Sequence, residues 1–145
     1  MGTSSTLTGL ILGSHLYAQG EIDVIGISVA SPSDALTARI TTQLDEAVEK
    51  LGLDLVVPPS SIEILDDYVG TGYGLPTESM KEAVLLTARS EGIVLDPVYT
   101  GKAMTGLIDL IRTGRLTREN VVVFLHTGGV PGLFADTQIE TFQSD

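Results

Sequence analysis

The chain has no cysteine, and its 145 residues include only two histidines. The first absence excludes a disulfide framework and thiolate metal sites. The second leaves no basis for a Ser/His/Asp triad or a histidine metal cluster. His15 falls inside a helical pattern with no acidic or histidine partner at ligand spacing, so a surface or packing role is expected for it. His126 closes an apolar run, where a packed imidazole is the ordinary outcome. Positive charge is also scarce. Eight Lys and Arg stand against nineteen Asp and Glu, a formal net charge of −11. Such a field repels nucleic acid and anionic membranes. An anionic ligand must then be held locally, by backbone N–H groups and a helix dipole. No run approaches the roughly 18 apolar residues of a membrane span, and no basic segment precedes an apolar one. A cytoplasmic protein is expected, with neither nucleic acid nor membrane as partner.

What is present is enough for a core. The hydrophobic fraction is 43% and mean hydropathy is +0.28, which argues against disorder. The length suggests one domain able to bury a core without staples. Residues 4–18 carry Leu7, Leu10, Ile11 and Tyr17 at near-helical spacing, and Gly20 would end that helix. IDVIGISV reads as a strand covered on both faces, as in parallel sheets. SPSD at 31–34 reads as a helix start, with Ser31 at the cap and Pro32 in the first turn. Leu36, Ile40, Leu44, Val48 and Leu51 then recur every three or four residues up to Gly52.

Further on, SIEIL at 61–65 is a short predicted strand, and DDYVGTGYGLP is a glycine-rich loop. Thr77 caps a helix bearing Met80, Val84 and Ala88 that stops near Gly92. The next helix shows an apolar stripe of Met104, Leu107, Ile108 and Ile111, ended by Gly114. VVVFLHTGG, from Val121 on, is the strongest predicted strand. Helices alternating with buried strands imply an α/β sandwich with a parallel sheet. Right-handed crossovers would gather the strand C-terminal ends on one edge, where such folds bind ligands.

Three loops qualify for that edge. The N-terminal turn offers Ser4, Ser5 and Thr6 hydroxyls before unpaired helical N–H groups, which suits a phosphate and equally suits a plain helix cap. Tyr73 and Tyr99 lie in glycine-flanked loops rather than apolar stripes. A phenol there can stack on a flat ligand, move a proton if its pKa is depressed, or simply pack. Lys102 opens a helix, where a lysine attracts phosphate or faces solvent. HTGG is the third loop.

Three blocks narrow this reading: GYGLPTESMKEA, EGIVLDPVYTGKAMTGLIDLIRTG and VVVFLHTGGVPGLFA. In that order and spacing they resemble the C-terminal half of the D-cysteine desulfhydrase and aminocyclopropane carboxylate deaminase family, and the likeness runs from Gly2 to about Ala135. The resemblance implies pyridoxal 5′-phosphate as cofactor. It also implies the fold of the large domain of tryptophan-synthase-β-like enzymes: a three-layer α/β sandwich with a mainly parallel sheet, truncated at its N-terminus. Residues 1–145 would be a partial cofactor-binding domain.

By the same resemblance Gly2, Thr3, Ser4, Ser5 and Thr6 match the loop that holds the cofactor phosphate. The family usually has glycine where Ser4 and Ser5 stand, because close backbone approach to phosphate favours glycine. Tyr73 and Tyr99 match the two tyrosines facing cofactor and substrate, and Thr127 matches the hydroxyl residue near the pyridine nitrogen. Typical aminocyclopropane carboxylate deaminases carry glutamate after the second tyrosine and leucine after the histidine. Thr100 and Thr127, both among the cofactor-binding residues that the resemblance implies, resemble the desulfhydrase pattern instead.

The implied reaction is α,β-elimination of D-cysteine to pyruvate, hydrogen sulfide and ammonia. Deamination of aminocyclopropane carboxylate, or a non-catalytic phosphate-binding or partner-binding module, are the alternatives. In the family the Schiff-base lysine and a carboxylate-assisting serine lie upstream of the phosphate loop. Lys102 matches a different lysine, and Lys50 and Lys81 fall on ordinary helices. The expectation is a fragment inactive alone, completed by an N-terminal portion or partner chain, within a family whose members are homodimers acting on small amino acids.

Overall fold

The structure is a computed structural model that describes residues 4–143. Two compact units make up the chain, Met1–Asp66 and Asp67–Asp145. The first contains α1 (Ser5–Ala18), β1 (Ile25–Ile27), α2 (Ser33–Leu51), a 3-10 turn at Pro59–Ser61 and β2 (Glu63–Leu65). β1 and β2 pair in parallel, Ile25 opposite Glu63 and Ile27 opposite Leu65. Parallel neighbours need a crossover, and α2 supplies it. Leu7, Ile11 and Leu12 of α1 meet Ile40 and Leu44 of α2, with Val24 and Ile64 packed on the cluster. The expected stripe of α2 is thus buried at Leu36, Ile40 and Leu44, whereas Leu51 at the helix end is exposed. Gly52, at φ +61°, closes the helix as its sequence position indicates.

The start of α2 differs from expectation. Ser31 does not cap it. Ser28 Oγ takes the Ser31 N–H at 3.2 Å and donates to the Ser31 carbonyl at 2.7 Å, which holds Ser31 in the preceding turn. The helix begins at Ser33, whose N–H reaches Asp66 Oδ2 at 2.6 Å. An acid just past β2 therefore caps the crossover helix. That contact, chiefly the Ser33 backbone N–H, holds the Asp66 carboxyl below the usual carboxylate range.

The second unit contains α3 (Glu78–Glu91), α4 (Thr100–Arg112), a 3-10 turn at Val130–Phe134 and α5 (Asp136–Gln143). Thr77 Oγ1 accepts the Met80 N–H at 3.2 Å, the cap its sequence announces. Met80, Val84 and Leu95 form the core with Met104, Phe124 and Phe142 against them.

Two expectations fail here. The apolar stripe of α4 is not its most buried face; Ile111 is 54% exposed, and the buried residues are Thr100, Gly101, Lys102, Thr105, Gly106 and Leu110. The small face wins because α3 comes very close: a Cβ on Gly101 would lie 2.8 Å from Val84 Cγ2 and 3.1 Å from Met80 Cγ. The stretch 121–126 forms no ladder among the described residues, and Val121 and Val123 are 96% and 85% exposed. β-Branched residues favour extended backbone, but a strand also needs a neighbour to pair with, and within this unit the stretch has none. Among the described residues, no helix is long and apolar enough to cross a membrane.

Candidate functional site

In the second unit the chemistry gathers at the start of α4, around a residue that the sequence reading passed over. Asp96 is 1% exposed. Its Oδ2 accepts the N–H groups of Val98 at 2.8 Å and Tyr99 at 2.7 Å. Its Oδ1 accepts the Thr100 N–H at 2.8 Å and the Thr100 hydroxyl at 2.7 Å. Thr100 Oγ1 in turn accepts the Asp96 N–H at 2.9 Å. This reciprocal box satisfies the orphan amides of the helix start, and the carboxylate complements the helix dipole. The signal was present in DPVYT: an acid before proline, four residues ahead of a threonine that opens an apolar stripe. The Thr100 hydroxyl is fully committed to Asp96.

Tyr99 precedes Thr100, and the loop residue Tyr73 comes to meet it. Their rings are edge-to-face, with centroids 6.0 Å apart and planes at 62°. Their hydroxyls share a short hydrogen bond in which either can donate. Both rings stay accessible, at 55% for Tyr73 and 37% for Tyr99. The bond to Tyr73 is the main reason that the Tyr99 phenol titrates above the ordinary tyrosine range, with burial and the Asp96 charge adding to it. The condition of a depressed phenol is not met at Tyr99: near neutral pH it holds its proton and can donate it.

The turn that carries Tyr73 is tied down from two sides. Lys102 Nζ donates to the carbonyls of Val69 at 2.7 Å and Gly72 at 2.9 Å. Gln138 Nε2 of α5 donates to the Gly74 carbonyl at 2.9 Å. Lys102 is neither a phosphate ligand nor a solvent lysine, for it is completely buried. Thr127 is exposed on the turn before Gly128 and Gly129, both at φ +94°. That turn leans on the same carboxylate: a Cβ on Gly129 would lie 2.6 Å from Asp96 Cγ. His126 is exposed rather than packed, with Nε2 3.0 Å from the Val94 carbonyl and Nδ1 accepting the Gly128 N–H.

In the first unit, the start of α1 is the anion-binding candidate. Gly2 and Thr3 lie outside the described residues. Ser4 has φ +65°, a left-handed conformation that glycine adopts without strain. Its side chain is buried, and its hydroxyl donates to Gln43 Oε1 at 2.9 Å, as does that of Thr8 at 2.7 Å. The first helical bond runs from Thr8 N–H to the Ser4 carbonyl, so the amides of Ser5, Thr6 and Leu7 precede the ladder. Ser5 and Thr6 are exposed, and the first turn holds no acid. These residues fit a phosphate: Ser5 and Thr6 are exposed beside amides that precede the helical ladder, and the Ser4 side chain is buried against Gln43.

Two clefts lie apart from these groups. One, of about 240 Å³, adjoins the other end of α1, where His15 Nε2 meets Ser61 Oγ at 2.9 Å and the ring covers Gly20. The other, of about 360 Å³, lies between α3 and α4 and holds the Tyr68–Asp109 bond and the Arg112–Glu82 pair.

The first unit thus offers an anion-binding candidate at a helix start, and the second an accessible tyrosine pair built on a buried capping acid. The chain belongs to the pyridoxal-phosphate dependent enzyme family, whose model matches residues 1–128. It is similar to a solved ACC deaminase homologue, at 38% identity and a TM-score of 0.80 over 92% of this chain. The α/β fold with a parallel sheet expected from the resemblance is therefore the fold found. The chain spans 39% of that relative's length.

Proposed function

We propose that this chain is the phosphate-holding and tyrosine-bearing part of a lyase that converts D-cysteine and water to pyruvate, hydrogen sulfide and ammonia. The observation that carries this choice is Thr100, 1% exposed with its hydroxyl 2.7 Å from Asp96 Oδ1. A glutamate there, typical of aminocyclopropane carboxylate deaminases, would put a second carboxylate against a buried one, which is unfavourable.

Ser5 and Thr6, with the first amides of α1, would hold the cofactor phosphate. Pyridoxal phosphate supplies an electron sink for loss of an amino acid's α-proton and β-substituent. Tyr99 Oη delivers a proton to the departing sulfur and is refilled from Tyr73 Oη across their hydrogen bond. By the family resemblance, Thr127, exposed on its turn, would be the hydroxyl that serves the pyridine nitrogen. Of the three lysines, none anchors the cofactor on this reading: Lys50 pairs with Glu46 at 3.1 Å on the surface, Lys81 lies on α3, and Lys102 is sealed beneath the 69–72 turn. On this reading the anchoring amine lies outside residues 1–145, and the complete enzyme is a cytoplasmic homodimer acting on a free amino acid.

The test measures sulfide released from D-cysteine and ammonia released from 1-aminocyclopropane-1-carboxylate. Both are assayed with the chain alone and with the chain plus a lysine-bearing N-terminal portion of a family member. The chain alone should titrate saturably with pyridoxal phosphate without an imine absorbance band, and sulfide should appear only in the complemented mixture. Sulfide released by the chain alone at ordinary enzyme rates refutes the partial-site reading. The second reading, an aminocyclopropane carboxylate deaminase, is favoured by the solved homologue; faster turnover of the cyclopropane substrate by the mixture would establish it over the first.

A further inference from the structure

We propose that Lys102 is the positioning residue of the tyrosine pair: its buried amino group, which keeps two N–H donors even when neutral, clamps the 69–72 turn so that Tyr73 stays hydrogen-bonded to Tyr99. The inference rests on the reading of that pair as the proton-handling part of the site. Lys102 is the largest fully buried side chain among the described residues. It donates to two backbone carbonyls of one turn, those of Val69 and Gly72. The turn has little freedom otherwise. Gly70 has φ +68°, and a Cβ there would come within 2.4 Å of Thr77 Cγ2. Tyr73 follows directly, and its phenol reaches Tyr99, three residues before Lys102 at the same helix start. One end of α4 thus holds both one tyrosine and the clamp on the other.

The choice of lysine is informative. Burying an ammonium is unfavourable, and burial does lower the Lys102 pKa. An unbranched apolar side chain such as methionine would fill the same space without that penalty. What lysine adds is a donor that binds two carbonyls at once, and so fixes a geometry.

The experiment uses the whole chain carrying Tyr17→Phe and Tyr68→Phe, which leaves Tyr73 and Tyr99 as its only tyrosines. Phenol ionisation is followed by absorbance near 295 nm, with urea unfolding recorded in parallel. With Lys102 intact, one phenol titrates above the ordinary range. In Lys102→Met that elevation is lost while cooperative unfolding persists. Because the chain has no cysteine, Lys102→Cys can be aminoethylated in the unfolded state to rebuild a lysine-like side chain, and the elevated titration returns on refolding. If Lys102→Met does not fold, Gly70→Ala displaces the same turn with Lys102 intact and also abolishes the elevation. A folded Lys102→Met or Gly70→Ala that keeps the elevated phenol overturns the proposal, as does an aminoethylated protein that refolds without recovering it. A purely structural lysine would move the urea midpoint and leave the phenol titration alone. The readout needs neither cofactor nor substrate, so its failure is separable from failure of the lyase reading.

Discussion

Thr100→Glu tests the reasoning about substrate class at one atom pair. The Thr100 hydroxyl lies 2.7 Å from a carboxylate oxygen in a buried box. A glutamate at this site brings a second negative charge to within about 4 Å of Asp96, and two like charges at that distance repel by roughly 4 kcal/mol at an effective dielectric of 20. The larger side chain adds about 1–3 kcal/mol of overpacking. Together these approach the whole stability of an ordinary domain, roughly 5–15 kcal/mol. Thr100→Gln separates the terms, since it has the bulk without the charge and should lose only the overpacking and the hydroxyl bonds.

The assay is urea unfolding by circular dichroism at pH 5 and pH 7.5. The paired carboxyls of Thr100→Glu would have one folded-state pKa raised above its unfolded value. Stability is then highest below the unfolded pKa and falls as pH rises through the folded one. The glutamate variant should therefore match the glutamine variant far better at pH 5 than at pH 7.5. Equal stability of the two at pH 7.5 would refute the reasoning, because the chain would then accept the deaminase residue freely.

Other outcomes follow from the same contacts. The Asp66 carboxyl is held below its ordinary pKa by the Ser33 N–H, so its contribution is present above the unfolded pKa and lost as pH falls through the folded value; acid titration of Asp66→Asn by circular dichroism should lack that component. Burial, with the bond to Asp109, pushes the Tyr68 phenol up to about 12. The chain should therefore lose stability between pH ~10, where a free phenol ionises, and about 12, and Tyr68→Phe should flatten urea midpoints in that window. Gly101→Ala sets a methyl 2.6 Å from the Asp96 carbonyl, and thermal melts should show a loss of about 1–3 kcal/mol or more from overpacking. Ser4→Gly removes left-handed strain of roughly 1–2 kcal/mol along with a buried hydrogen bond of about 1 kcal/mol, so its melt should move little.

The helices were legible because their signals are local. Thr77, Gly52 and Gly92 mark ends through backbone chemistry that needs no distant partner. Several of the failures concern partners far along the chain. Asp66 caps a helix that starts 33 residues earlier. Lys102 meets carbonyls 30 and 33 residues upstream. Val121–Leu125 has the composition of a strand, but pairing is a property of two segments. The apolar stripe of α4 is not its most buried face because closeness of approach decides there, and Gly101 allows the approach to α3. The tyrosine pair was only half legible: both residues stood out in glycine-flanked loops, while their hydrogen bond and the direction of the Tyr99 shift depend on the fold. Asp96 was within reach of capping rules.

The tripeptide Thr100-Gly101-Lys102 answers to three different neighbours: the Asp96 box, the face of α3 and the turn before Tyr73. Its consequence is epistasis. A lineage exploring new chemistry by exchanging Thr100 would also meet Asp96, and behind Asp96 the turn at Gly129, which has no room for a side chain. Acceptable routes must alter these positions in concert or in a narrow order. Substrate preference in such a scaffold would change rarely and in blocks, with intermediates removed by misfolding before activity is ever tested.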